Sequence, residues 1–189
     1  MASSLEPMFR FLSTYLDLTE DERALVQRTN YVRTYAKNEL LSSRPGWAES
    51  VYFVLQGAVS VSLLAVDREV VSDFFFGGEP MIFLPGDVQI RFLEDSVLAV
   101  SPAADVEKMV CEFPRFESVC RRFAEEKLAE KMRFSDRLKI LTPLERYEFV
   151  ARSRPDFIQR VPQHILASYL GMAPETLSRA RRQIVTRGS

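Results

Sequence analysis

The sequence predicts an α+β chain: an antiparallel β barrel or jelly roll in the N-terminal half, then helices. Three observations carry this prediction. Between about Val32 and Val100, short apolar or alternating runs are separated by close turns. After Ser101-Pro102 the apolar residues recur at a helical spacing. Finally, Gln163 to Val185 reads as two short helices joined by a glycine turn.

Taken in order, Thr19-Glu-Asp-Glu22 is a capping box, and it sets the start of a short helix over Arg23-Ala-Leu-Val-Gln. Val51-Tyr-Phe-Val-Leu55 is a buried apolar run. Gly57 separates it from Ala58 to Leu63, where Val59, Val61 and Leu63 alternate with small polar residues. Val70 to Phe76, Val88 to Leu93 and Ser96 to Val100 are further strand candidates. Pro45-Gly46, Gly77-Gly78, Pro85-Gly86 and Glu94-Asp95 mark turns between them. Many short strands with close turns suggest a barrel or jelly roll.

Pro102 suits a first helical position with Ser101 as its cap, and Pro114 can open a second, longer helix. Along that helix Phe116, Val119, Cys120, Phe123, Ala124, Leu128 and Met132 form a broad apolar stripe among charged residues. Lys127 and Lys131 interrupt the stripe. Such a helix can lie on its own barrel, pair with its twin across a two-fold axis, or do both, and these seven residues are the candidate dimer interface. Thr142-Pro-Leu-Glu145 supplies a cap, a first-position proline and an N3 acid for another helix, and Pro155 and Pro162 bracket a short segment after it.

In the C-terminal pair, Ile165, Leu166, Tyr169 and Leu170 give an apolar face and Ala167 permits a close crossing. Gly171 can take a positive φ and end the first helix. Met172 fills the angle, Ala173 or Pro174 starts the second helix, and Leu177 packs inward. Glu175, Thr176, Ser178 and Arg179 then lie at the exposed end, which in a recognition helix meets base edges. Arg179 can fork onto guanine O6 and N7, and Glu175 can accept from cytosine N4. Thr176, Arg181, Arg182 and Arg187 suit phosphates. The alternative is a helical hairpin for protein contact with solvated arginines.

Charge agrees with a polyanion partner for this end alone. Residues 138–189 hold nine basic and four acidic residues, a balance of +5, which leaves −6 for residues 1–137 of the chain's net −1. The 47% hydrophobic content suffices for a real core. Two cysteines, Cys111 and Cys120, make neither a disulfide scaffold nor a metal spacing, and no secretory leader or membrane span is visible. A reducing, cytoplasmic setting is the expectation.

Three segments resemble the Crp/Fnr family of bacterial transcription regulators, particularly the branch common in the Bacteroidetes: Gly46 to Gly57, Phe76-Gly-Gly-Glu79, and Ile165 to Arg179. The resemblance implies a double-stranded β-helix (jelly-roll) barrel resembling a cyclic nucleotide-binding domain, with flanking helices, over 1–103. It implies a connecting and dimerisation helix over 104–137 and a helix-turn-helix DNA-binding domain over 138–189. Its partners would be a second copy, double-stranded DNA with a roughly palindromic site, and an unknown small-molecule effector. Glu175 and Arg179 fall on the family's base-contacting positions, with Ser178 beside them.

The effector side departs from the pattern. Cyclic AMP binders hold the phosphate with a Gly-Glu pair and an arginine followed by a small hydroxyl residue. Gly78-Glu79 is present, but Pro80 to Gln89 has no basic residue and is short, and Asp87 repels an anion. Arg91, the nearest candidate, sits in a strand where it can simply face water. The chain is not expected to respond to cyclic AMP. An iron–sulfur cluster needs about four cysteines, and the single histidine, His164, lies in the helical hairpin, so no cofactor or metal site is expected. Candidate effector-pocket residues are Phe76, Gly78, Glu79, Met81, Phe83 and Arg91. The apolar cluster Phe74 to Phe76 with Met81 to Leu84 reads either as a collapsed core or as a site for an apolar effector. A cavity beside Glu79, Phe76 and the long helix would distinguish the two.

Few residues follow Val185, so no wing hairpin is expected. No catalytic set is visible, since one surface histidine supports no Ser-His-Asp arrangement and Glu79 with Asp87 is weak support for acid/base work. A non-enzymatic regulator is the leading reading, and a ligand-sensing or protein-interaction module without DNA binding is the alternative.

Overall fold

The computed structural model describes residues 4–42, 46–64, 66, 69–82 and 86–187, with side chains through Ile184. Phe83, Leu84, Pro85, Pro45 and the side chain of Arg187 lie outside the described residues. Two short helices, α1 (Glu6–Leu12) and α2 (Glu20–Thr29), precede the strands. The strands are β1 (Tyr31–Tyr35), β2 (Ser50–Gln56), β3 (Ala58–Leu64), β4 (Glu69–Phe76), β5 (Glu79–Met81), β6 (Val88–Phe92) and β7 (Ser96–Pro102). The helices α3 (Ala103–Glu112), α4 (Arg115–Ile140), α5 (Pro143–Ser153), α6 (Pro155–Arg160), α7 (Gln163–Tyr169) and α8 (Pro174–Arg187) follow.

The described strands pair antiparallel in two sheets, ordered β1-β7-β2-β5 and β4-β3-β6. The fold is α+β, but the sheets form an open sandwich and no described ladder closes them into a barrel. One feature works against closure at the β5 edge. β5 has three residues, one of them Pro80, which has no N–H to give a ladder. The tight Gly77-Gly78 turn carries the chain from one sheet to the other, with Gly78 at φ +96°.

Side-chain alternation explains the packing. Tyr52, Val54, Leu98 and Val100 of one sheet and Val59, Val61, Phe75, Ile90 and Phe92 of the other fill the sandwich. Tyr35 stacks on Phe92 at 4.3 Å. Phe53, Leu55 and Ala99 face the other way, onto Leu5, Met8 and Phe11 beside and within α1. Val51, expected to be buried with its neighbours, is exposed at the start of the strand, whereas from Tyr52 to Leu55 the run is apolar because β2 is covered on both faces there. The same holds for β4: Phe75 points into the sandwich, while Val71, Phe74 and Phe76 pack outward against α6 and α7. Gly57 lies at φ +109°, where an added Cβ would sit 2.1 Å from Ser96 Oγ, so glycine is required there.

Both capping boxes form, at Thr19/Glu22 and Thr142/Glu145. Pro102 and Pro114 differ from their expected places, since each precedes its helix as the N-cap residue. Ser101 caps nothing: its hydroxyl donates to Thr29 O at 3.0 Å and ties β7 to the end of α2. No described helix is long and apolar enough to cross a membrane.

Candidate functional site

The helix-turn-helix is built from the turn outward. Gly171 adopts φ +64°. Met172 N donates to Ala167 O at 3.0 Å and Gly171 N to Ser168 O at 3.1 Å, the paired bonds of a Schellman stop. Arg146 of α5 locks the turn, with Nε donating to Leu141 O (3.0 Å) and Nη1 to Leu170 O (3.1 Å). Leu166 and Ala167 of α7, its C-cap Leu170, and Leu177 and Ala180 of α8 are buried with Tyr147, Val150 and Phe157. Pro174 begins α8 at the position where its missing N–H costs nothing.

This packing leaves the far side of α8 in solvent. Glu175, Arg179, Arg181 and Arg182 are exposed, and Thr176 and Ser178 are half-buried. Glu175 and Arg179 are one turn apart on one face. Arg179 Nη2 donates to Thr176 Oγ1 at 3.3 Å. His164 is exposed on α7. Among the described residues no strand follows β7.

The helical unit sits on the outer face of the three-stranded sheet. Phe74 meets Phe157 edge-on at 4.9 Å and Tyr169 at 5.0 Å. Ser168 Oγ accepts from Val71 N at 3.3 Å. Arg160 donates to Gly57 O at 2.9 Å, pairs with Glu94, and lies over Phe76 at 4.8 Å.

The described effector candidates, which exclude Phe83, do not line one common pocket. Met81 enters the sandwich core, while Phe76 is buried under α6, against Phe157 at 5.6 Å. Gly78 serves the β4–β5 turn. Arg91 alternates with Ile90 and Phe92, which point inward, so it lies on the opposite face of β6. Glu79 accepts from Phe76 N at 2.9 Å and faces Arg154 of α5–α6 at 3.7 Å. Burial pushes its carboxyl above the usual carboxylate range, against the pull of the Phe76 amide and Arg154. Arg154 is also paired with Asp156 at 3.1 Å and lies 4.1 Å from the Phe157 ring centre. Thus the glutamate of the Gly-Glu pair is directed to the helical unit. The apolar run around it splits between two cores, with Ile82 left 43% exposed.

A cavity of about 690 Å³ does lie beside Glu79 and α4, although buried Phe76 is not part of its lining. It is outside the sandwich, walled by β4–β5, α4, α5 and α7. Of its lining, Glu79, Phe74, Phe75 and Ile82 stand out in the sequence, whereas Phe134, Phe149 and Tyr169 carry only an ordinary helical core signal.

The α4 stripe divides in two. Phe116, Val119 and Phe123 are buried in their own chain, Phe123 edge-on to Phe11 at 5.0 Å. Cys120 and Ala124 are exposed, as are Leu128 (62%) and Met132 (59%).

No protein-family model and no curated protein matches the chain. Solved structures do match its fold. FixK2 from Bradyrhizobium japonicum is 22% identical with a TM-score of 0.73, covering 84% of this chain and 86% of that one. The c-di-GMP responsive global regulator CLP of Xanthomonas campestris is 20% identical with a TM-score of 0.67, covering 90% and 93%. A putative transcriptional regulator of the crp/fnr family from Eubacterium rectale is 13% identical with a TM-score of 0.68, covering 95% and 89%. The chain therefore has the fold found in these regulators.

Proposed function

We propose that this chain is a sequence-specific, DNA-binding transcription regulator of the Crp/Fnr type, acting as a homodimer and not responding to cyclic AMP. The observation that carries the reading is the exposed N-terminal half of α8, with Glu175 and Arg179 on one face of a helix-turn-helix whose opposite side is fully packed. Glu175 and Arg179 read base edges, while Thr176, Arg181, Arg182 and Arg187 hold phosphates. Ser178 supports the reading pair. In a dimer the two recognition helices would lie about one turn of DNA apart, ~34 Å.

Several observations support the remaining parts. The exposed line Cys120, Ala124, Leu128 and Met132 offers a second copy an apolar seam. Phe116, Val119 and Phe123 stiffen α4 from behind. The sandwich interior is filled by apolar and aromatic side chains, and no described lysine or arginine is buried there to hold a phosphate. The likeness to the Bacteroidetes branch is carried by the three sequence segments.

Titration of the chain with a random duplex at increasing salt tests the DNA reading. The reading predicts binding whose logarithm falls steeply and linearly with the logarithm of salt concentration. Absence of binding at low salt would overturn it and favour an interaction module on the same fold.

A further inference from the structure

The cleft between β4–β5, α4 and the helical unit has a lining that identifies the chemistry of an occupant. Its wall is a continuous aromatic surface. Phe134 lies 5.4 Å from Phe149 and 5.6 Å from Tyr169, and Tyr169 lies 5.0 Å from Phe74. Three carboxylates border it, and each already faces a cation. Asp73 meets Lys131 at 2.8 Å, Glu130 meets Lys127 at 2.9 Å, and Glu79 faces Arg154 at 3.7 Å. Two more cations line the same cleft, Arg133 and Arg137. Among the described residues no hydrogen bond or ion pair answers either of them. Four positions apart on α4, they share one face with Cβ atoms about 5–6 Å apart.

This combination discriminates between ligand types. A neutral apolar molecule would leave both guanidinium groups unused, and a cation would be repelled. A small polar anion would satisfy the arginines but leave the aromatic wall wet. A cleft of about 690 Å³ is within the usual range for a small-molecule site. We propose that the cleft binds an amphipathic anion, its apolar body against Phe134, Phe149 and Tyr169, which buried Phe74 backs, and its acidic head on Arg133 and Arg137. The head group can form charge-assisted bonds to either guanidinium fork. Because the walls belong to both the sheet and the helical unit, an occupant bridges the two. The site lies outside the sheet sandwich and does not depend on DNA reading.

The test is isothermal titration of the full chain with decanoate, against decanol and decyltrimethylammonium as neutral and cationic counterparts. Vesicles of phosphatidic acid, with phosphatidylcholine as control, separate a membrane head group from a free acid. The proposal expects decanoate or phosphatidic acid to bind, and the counterparts to bind roughly tenfold more weakly or not at all. The R133A/R137A double variant should bind roughly tenfold more weakly while keeping the wild-type circular dichroism, since both side chains are exposed. Decanoate binding without vesicle binding assigns a soluble acid; vesicle binding with the same arginine dependence assigns a lipid head group. No binding of either anion, equal affinity for decanol, or unchanged affinity in the double variant would overturn the proposal. Loss of DNA binding with decanoate binding intact would count against the DNA reading alone.

Discussion

Replacing Phe74 and Phe157 by leucine, singly and together, measures how firmly the helical unit is held on the sheet. Phe74 projects from β4 and Phe157 from α6, both are essentially inaccessible, and their rings meet edge-on at 4.9 Å. Alanine at either site would cost about 3–5 kcal/mol, a large part of a typical domain's ~5–15 kcal/mol. Leucine keeps most of the volume and should cost under ~1.5 kcal/mol at each site. The edge-to-face pair itself is worth about 0.5–1.5 kcal/mol, so the double variant should lose less than the sum of the singles by roughly that amount. Urea unfolding followed by the fluorescence of Trp47, the chain's one tryptophan, reports on the sandwich, against whose core it packs. Circular dichroism of the same samples reports mainly on the helices. Phe157→Leu should shift both signals, because the sandwich and helical unit share a packed boundary. Additive losses within ~0.3 kcal/mol, together with an unmoved Trp47 transition, would refute the docked arrangement.

Two further outcomes follow from the geometry. Glu79 has a folded pKa above its ordinary 4.5, chiefly through burial, while Arg154 and Lys127 pull it down and Asp156 pushes it up. Between the two values the folded chain binds more protons than the unfolded one, so this group lowers stability as pH rises through that window. Melting temperatures of Glu79→Gln and wild type from pH 4 to 7 should therefore separate in the variant's favour toward pH 7, whereas a constant difference would contradict the burial argument. Substituting both Leu128 and Met132 by glutamate should halve the mass seen by light scattering and leave the circular dichroism unchanged, since both are more than half exposed. An unchanged mass would remove this seam as the proposed dimer contact.

The parts legible in sequence were those specified locally. Gly171, Pro174 and the two Thr/Glu capping boxes work through the backbone of a few neighbouring residues, and all appear where expected. β1 was missed because four of its five residues are exposed and show no alternation, its pairing being dictated by β7. α1 has no side-chain cap and was also missed; it is held by Phe9 and Phe11. The apolar run Phe74-Phe75-Phe76 showed burial but not that its two faces serve different cores. The cleft was illegible for a related reason. Its walls come from β4, α4, α5 and α7, and which arginines remain unpaired depends on tertiary neighbours.

Arg179→Ala tests the central claim most directly, measured on a selected operator and on a random duplex at one salt concentration. If Arg179 reads a base, the variant loses about 1–3 kcal/mol on the operator and much less on random DNA. Equal losses on both duplexes would place Arg179 on the phosphate backbone and contradict the reading of α8 as the element that selects sequence.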